Sequence, residues 1–208
     1  MTYPIVAYGD RVLREKAKSL APGTDVKALV ADMLATMDQA GGVGLAAPQI
    51  GKSLRLFVVD CSPFMGPTVP REQCRKVYIN PTLQLADTAM PQYHEEGCLS
   101  IPGVLVKVPR APELVVTYFD AHWKQQEEVL TDMSARVVQH EYDHLEGKLH
   151  IDYMSKPERQ LLQDTLSDIS QGKVSVSYPM RFPKQPAAPA SSQSRKTLQR
   201  APIYGANH

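Results

Sequence analysis

Residues 140–144, His-Glu-Tyr-Asp-His, constrain the fold more than any other segment of this chain. Two histidines four residues apart can share one ion only on a helix. There, positions i and i+4 lie on one face with Cβ atoms about 5–6 Å apart. In an extended chain they would stand too far apart to converge. Glu141 then lies about 100° around from His140, beside an ion but not necessarily on it. A base that takes a proton from a hydrolytic water belongs there. The flanking sequence agrees with a helix. Thr131 or Asp132 can cap its start, Val137, Val138 and Leu145 give an apolar side, and Gly147 is a natural stop.

The chain has 208 residues, 43% hydrophobic and 22% charged, which suits one domain with a substantial core. A net charge of +1 gives no electrostatic case for a nucleic-acid or membrane partner. Three cysteines, Cys61, Cys74 and Cys98, are too few and too odd for a disulfide framework and point to a reducing compartment. No secretory signal and no apolar run of membrane-spanning length is expected.

Hydrophobic periodicity predicts a helix over Asp25–Gln39, with Asp25 as its cap and Gly41-Gly42 as its stop. Leu54–Asp60 reads as a buried strand. Cys61–Arg75 reads as an exposed loop, and Val77–Asn80 as a short strand stopped by Pro81. Val104–Val108 and Leu114–Asp120 read as strands, the latter turning at Ala121–Lys124 into Gln126–Leu130. A last helix is expected from about Pro157 to Ser170, with Leu161, Leu162, Leu166 and Ile169 inward. This order favours α+β, with antiparallel or mixed sheets packed around a central metal-binding helix, an N-terminal helix and a C-terminal helix. Residues 1–172 form the expected domain. Residues 173–208, rich in Pro, Ser and Gln, form an expected irregular tail carrying Arg195, Lys196 and Arg200.

Two further blocks bear on the site. Gly42-Val-Gly-Leu-Ala-Ala-Pro-Gln49 is Gly-rich and ends on an amide. Glu96-Gly-Cys-Leu-Ser100 places a cysteine between glycine and leucine. Together with residues 139–147 they resemble the peptide deformylase family, in its order and approximate spacing, over about residues 3–172. Asp10–Arg14 and Asp152–Ser155 extend the likeness.

The resemblance implies one divalent metal on Cys98, His140 and His144, usually Fe2+, with Zn2+, Ni2+ or Co2+ able to substitute. It implies Glu141 as general base, with Gln49 and the Leu99 backbone N–H as donors to a developing oxyanion. The implied substrate is the N-formylmethionyl end of a nascent peptide in the bacterial cytoplasm. It would bind as an added strand near Val43, Gly44 and Gly97, with its methionine among Val43, Leu105, Met133, Arg136 and Val137. Transient ribosome association is a family trait that the tail, having no match to the common core, leaves open. Leu105 and Arg136 appear as a basic and an aliphatic residue, respectively, in some family members, which bears on fine specificity. Glu96 is a candidate to orient a site histidine or arginine, with Arg110 as its partner, although a surface salt bridge accounts for the pair equally well.

Two other functions fit the histidine pair alone. A metallopeptidase would need a third ligand downstream, where His150, His208, Glu146 and Glu158 are available. A structural metal module would need a fourth protein ligand.

Overall fold

The computed structural model describes residues 1–66, 68–85 and 90–183. Nine strands and five α-helices follow one another: β1 (Ile5–Val6), α1 (Lys27–Ala40), β2 (Gly44–Ala46), β3 (Leu56–Asp60), α2 (Arg71–Cys74), β4 (Arg75–Leu85), β5 (Gln92–Cys98), β6 (Ile101–Arg110), β7 (Glu113–Phe119), β8 (Gln125–Thr131), α3 (Asp132–Leu145), α4 (Lys156–Leu161), α5 (Gln163–Ser170) and β9 (Met180–Arg181). The architecture is α+β. An antiparallel five-stranded sheet runs β2-β3-β4-β7-β8, β5 and β6 form an antiparallel hairpin, and β1 pairs with β9 in parallel.

β3 explains how the layers stack. All five of its residues are buried because both faces of the sheet are covered. Phe57 and Val59 pack with Ala135, Val137, Val138 and Leu145 of α3. Leu56 and Val58 point the other way, onto Met33 and Met37 of α1. A third cluster joins Val104, Val106 and Val108 of β6 to Ile151, Leu166 and Ile169. The helix bearing the two histidines is therefore wedged between the large sheet and the β5–β6 hairpin.

Several local expectations change. Asp25 lies two residues before the start of α1, with Val26 in the cap position, and accepts from Lys27 N–H at 3.1 Å, while Gly41 closes the helix at φ +68°. Thr131 precedes α3 without a side-chain capping bond. Pro81 does not stop its strand. It sits at the irregularity between Ile79 and Thr82, where a missing ladder donor is tolerated, and β4 continues to Leu85. The loop after β3 contains the short α2, and Cys61 and Cys74 are both buried as small apolar groups. The last helix breaks at Leu162 (φ −90°, ψ 0°), which resets its face and leaves Leu161 exposed.

Residues 173–183 are mostly without regular structure, yet they lie against the body. Val174, Met180 and Phe182 pack on the third cluster, and Met180–Arg181 pair with Ile5–Val6. The packed body thus extends past the expected boundary at 172. Residues 184–208, including Arg195, Lys196, Arg200 and His208, lie outside the described residues. Among the described residues, no helix is long and apolar enough to cross a membrane.

Candidate active site

α3 carries His140, Glu141 and His144 on consecutive turns, and β5 brings the remaining groups. Strand alternation turns Glu96 and Cys98 inward and Gly97 outward. The two inward residues meet the two histidines: Glu96 Oε2 lies 2.9 Å from His140 Nδ1, and Cys98 Sγ lies 3.4 Å from His144 Nε2. The ligand atoms of Cys98, His140 and His144 all fall within 4.8 Å of one another. Tetrahedral coordination at about 2.3 Å for sulfur and about 2.0–2.1 Å for nitrogen sets neighbouring ligand atoms about 3.5 Å apart. The observed spacing fits an ion of that size, and a thiolate with two imidazoles suits a transition metal.

Glu96 is the hub behind this cluster. Arg110 donates to it through Nε at 3.0 Å and Nη2 at 2.9 Å, and Arg136 Nη1 donates at 2.7 Å. Burial alone would raise its pKa, but the hydrogen bonds from His140 and Arg110 hold the carboxyl well below the usual carboxylate range. An ionised carboxylate only accepts, so His140 Nδ1 carries the proton. That leaves Nε2 with a free lone pair for an ion. Arg110 continues the network through Nη1 to Asp143 at 2.6 Å and Tyr153 at 2.9 Å. Glu96 and Arg110 are 7% and 3% exposed, so this is a buried network and not a surface salt bridge. Arg136 is also drawn inside, with further bonds to the Val108 and Gln92 carbonyls.

Glu141 is 4% exposed, and its Oε2 has no hydrogen-bond partner. Burial pushes its pKa up to about 7, against the opposing charge of His140. Its side chain lies against Gly44, where a Cβ would fall 2.7 Å from Glu141 Cδ. A residue other than glycine would displace the carboxyl group. Gln49, on a one-turn 3-10 helix, is oriented by its own loop. Its Oε1 accepts from Ala46 N–H at 2.8 Å, which aims Nε2 at Cys98 Sγ, 3.6 Å away. Leu99 follows Cys98 in the two-residue turn between β5 and β6.

These groups open onto a cavity of about 630 Å³. Val43, Gly44, Gly97, Met133, Arg136 and Val137 border it, together with Gln49, Cys98, Leu99, His140 and Glu141. Leu105 does not. β6 turns Val104 and Val106 inward, so Leu105 faces out, 64% exposed and next to Gly97. Phe64 and the stretch Ser175–Tyr178 line the cavity without having been expected there. The alternation Val174, Val176, Tyr178, Met180 was the signal for the second group. It marks an extended segment with one face inward, hidden within a Pro- and Ser-rich composition.

Among the described residues, the downstream groups that a metallopeptidase would use are engaged elsewhere. His150 Nε2 bonds the Val104 carbonyl at 3.2 Å, Glu146 pairs with Arg55 and Lys16, and Glu158 forms the capping box of α4 with Ser155. Among the described residues the ligand cluster has three members, short of the four that a closed structural site needs.

A helix-borne histidine pair, an adjacent buried glutamate and a thiolate from a neighbouring strand define a metal-dependent hydrolase site. The model of the polypeptide deformylase family matches residues 2–160. A peptide deformylase of Cytophaga hutchinsonii is 47% identical over 184 residues, covering 88% of this chain and 98% of the relative. The crystal structure of peptide deformylase from Thermus thermophilus superposes with a TM-score of 0.72 at 38% identity, covering 83% of this chain and 99% of that one. One from Legionella pneumophila gives 0.71 at 34% identity, covering 83% and 98%. The chain belongs to the polypeptide deformylase family.

Proposed function

We propose that the chain removes the N-formyl group from the formyl-methionine end of newly made polypeptides, using the Cys98–His140–His144 cluster, Glu141, Gln49 and the Leu99 backbone. One observation carries the assignment of roles: a buried glutamate with an unpartnered carboxyl oxygen stands beside three converging metal-ligand atoms at the wall of the cavity.

Cys98, His140 and His144 would hold a divalent ion, which when bound would supply Lewis acidity to the attacking water and the formyl oxygen. Glu141 takes the proton that the attacking water loses. A carboxyl with a pKa near 7 can accept a proton and give it up again, so burial is what equips Glu141 for both tasks. As the formyl carbon becomes tetrahedral, charge collects on its oxygen, where Gln49 Nε2–H and the Leu99 N–H donate. Glu141 then passes its proton to the departing amine, leaving formate and a free N-terminus.

Val43, Gly44 and Gly97 offer backbone for a substrate bound as an extra strand; the absence of a side chain at Gly97 leaves room for it, whereas the space at Gly44 is taken by Glu141. Met133 and Val137, with Val43, form the apolar surface for the methionine side chain. Arg136 borders this surface with its guanidinium committed to Glu96, which favours a neutral partner there. Leu105 we assign to the rim beside Gly97, where residues following the methionine would pass.

Fe2+ is the proposed resident ion, with Zn2+, Ni2+ or Co2+ able to replace it. Activity in the bacterial cytoplasm, with transient ribosome association, fits a formylated nascent-chain substrate. The sparse free cysteines support the same location. Residues 1–172 hold the catalytic groups, and Ser175–Tyr178, just beyond them, add to the wall of the cavity. Glu141→Ala tests the roles: metal content should be retained, while formate release from a formyl-Met peptide falls by about 10²–10⁴-fold. Unchanged turnover would remove Glu141 from the mechanism.

A further inference from the structure

The segment after α5 runs back across the mouth of the cavity and ends in β9. Its residues alternate, with Val174, Val176, Tyr178 and Met180 turned toward the body. Tyr178 is the one that reaches Leu99 by a hydrogen bond. Its ring joins the cluster that contains Leu99, and its hydroxyl donates to the Leu99 carbonyl at 2.9 Å.

Leu99 occupies a demanding position. It lies in the two-residue turn Leu99–Ser100, between the paired residues Cys98 and Ile101. The central peptide of so short a turn makes no cross-strand bond of its own. The Leu99 C=O lies in this peptide and its N–H in the one before, the two planes joined at the Leu99 Cα, so a carbonyl left free to turn leaves the residue less fixed and its N–H with it. Three contacts hold it. The Ser100 carbonyl accepts from Tyr8 N–H at 2.9 Å. The Leu99 side chain lies on Gly42, where an added Cβ would come within 2.9 Å of Leu99 Cδ1. The third is Tyr178, the only one of these contacts that reaches the Leu99 carbonyl itself.

We propose that Tyr178 is a positioning residue: by fixing the Leu99 carbonyl it aims the Leu99 N–H at the oxygen where charge develops. The C-terminal segment is then part of the reaction apparatus as well as a wall of the cavity. This rests on the role given to the Leu99 N–H above. Preorganised donors lose catalytic value when they must be reoriented during the reaction.

Full-length zinc-loaded Tyr178→Phe keeps the ring and deletes one hydrogen bond. Turnover of formyl-Met-Ala-Ser, normalised to bound metal, should fall about 3- to 10-fold in kcat with KM within about twofold of the parent. The ¹⁵N order parameter of the Leu99 amide should fall while that of Ile101 holds, a change that a general loss of stability would not confine to one residue. Tyr178→Leu should lower kcat at least as far, and if it folds poorly Tyr178→Phe decides alone. Parental kcat in Tyr178→Phe, or a lowered kcat with the Leu99 amide as rigid as before, overturns the proposal. A parent protein that releases no formate would overturn the deformylase roles themselves, and this proposal with them.

Discussion

Gly44→Ala adds one methyl group at the point where β2 touches the general base. The new Cβ would lie 2.7 Å from Glu141 Cδ and 2.8 Å from Cγ, whereas ordinary contacts begin near 3.4 Å. The Cβ would lie closer still to Oε1, so Glu141 must retreat by about 1 Å or β2 must shift, because the surrounding space is packed and Glu141 is 4% exposed. Gly44 is not among the glycines with positive φ, so alanine brings no backbone strain to confuse the result. A 1 Å error in the placement of a reacting group costs about 100-fold. A displacement of this size should thus lower kcat about 30- to 100-fold. Overpacking costs about 1–3 kcal/mol, a fall in Tm of roughly 2–12 °C for a chain of this length. The three atoms nearest the added Cβ all belong to Glu141 and none to a metal ligand, so metal content should be unchanged. Formate release, metal analysis and a thermal melt on the same preparation check all three, with Gly66→Ala as a control because its Cβ would meet nothing within 4 Å. Full turnover in Gly44→Ala, with metal bound, would refute the claim that Glu141 works from the position seen here.

Other outcomes follow from the same geometry. Glu96→Gln removes the charge that faces Arg110, Arg136 and His140, leaving the buried Arg136 without its carboxylate partner and Arg110 with Asp143 alone. Stability should fall by about 3–5 kcal/mol and metal affinity about 10- to 100-fold, read by denaturant titration and competition with a chelator. Asp60 provides an acid-stability test. Burial would raise its pKa, but hydrogen bonds from Ser62, Arg71 and Arg75 outweigh it and bring the carboxyl to about 2. Its folded pKa is below the unfolded value of about 3.9, so its contribution is complete above that value and disappears as pH falls toward 2. About 2 kcal/mol should be lost across this window, and Asp60→Asn should flatten the slope of unfolding free energy between pH 5 and about pH 2. An unchanged slope would show that other carboxylates account for the acid sensitivity.

Much of the fold was legible because periodicity reported burial directly. The α1 stripe and the four apolar residues Leu56–Val59 of β3 needed no tertiary information, and the histidine spacing required a helix at α3. Motif blocks brought Cys98, Gln49 and the histidines together on paper, and the chain places them around one point. Local rules failed where tertiary context set the outcome. Pro81 looked like a strand terminator because its tolerance at an irregularity depends on the partner strand β7. Leu161 fitted a single continuous helix and was turned outward by the break at Leu162. Leu105 followed the family pattern into the pocket, while the alternation of its own strand points it out. For Glu96 and Arg110 the sequence left an orienting role and a surface pair equally open, because nothing local announces that Arg136 and His140 converge on the same carboxylate from α3. Tyr178 was missed for a compositional reason: Ser and Pro on the outer face masked a regular inward alternation.

The central claim is that this site hydrolyses a formyl amide and not a peptide bond. The most direct measurement is anaerobic incubation of the metal-loaded chain with formyl-Met-Ala-Ser and, separately, with Met-Ala-Ser, assaying formate and free methionine. The account predicts stoichiometric formate and intact Met-Ala-Ser from the first, and no cleavage of the second. Free methionine from the unblocked peptide, with no formate from the formylated one, would contradict it.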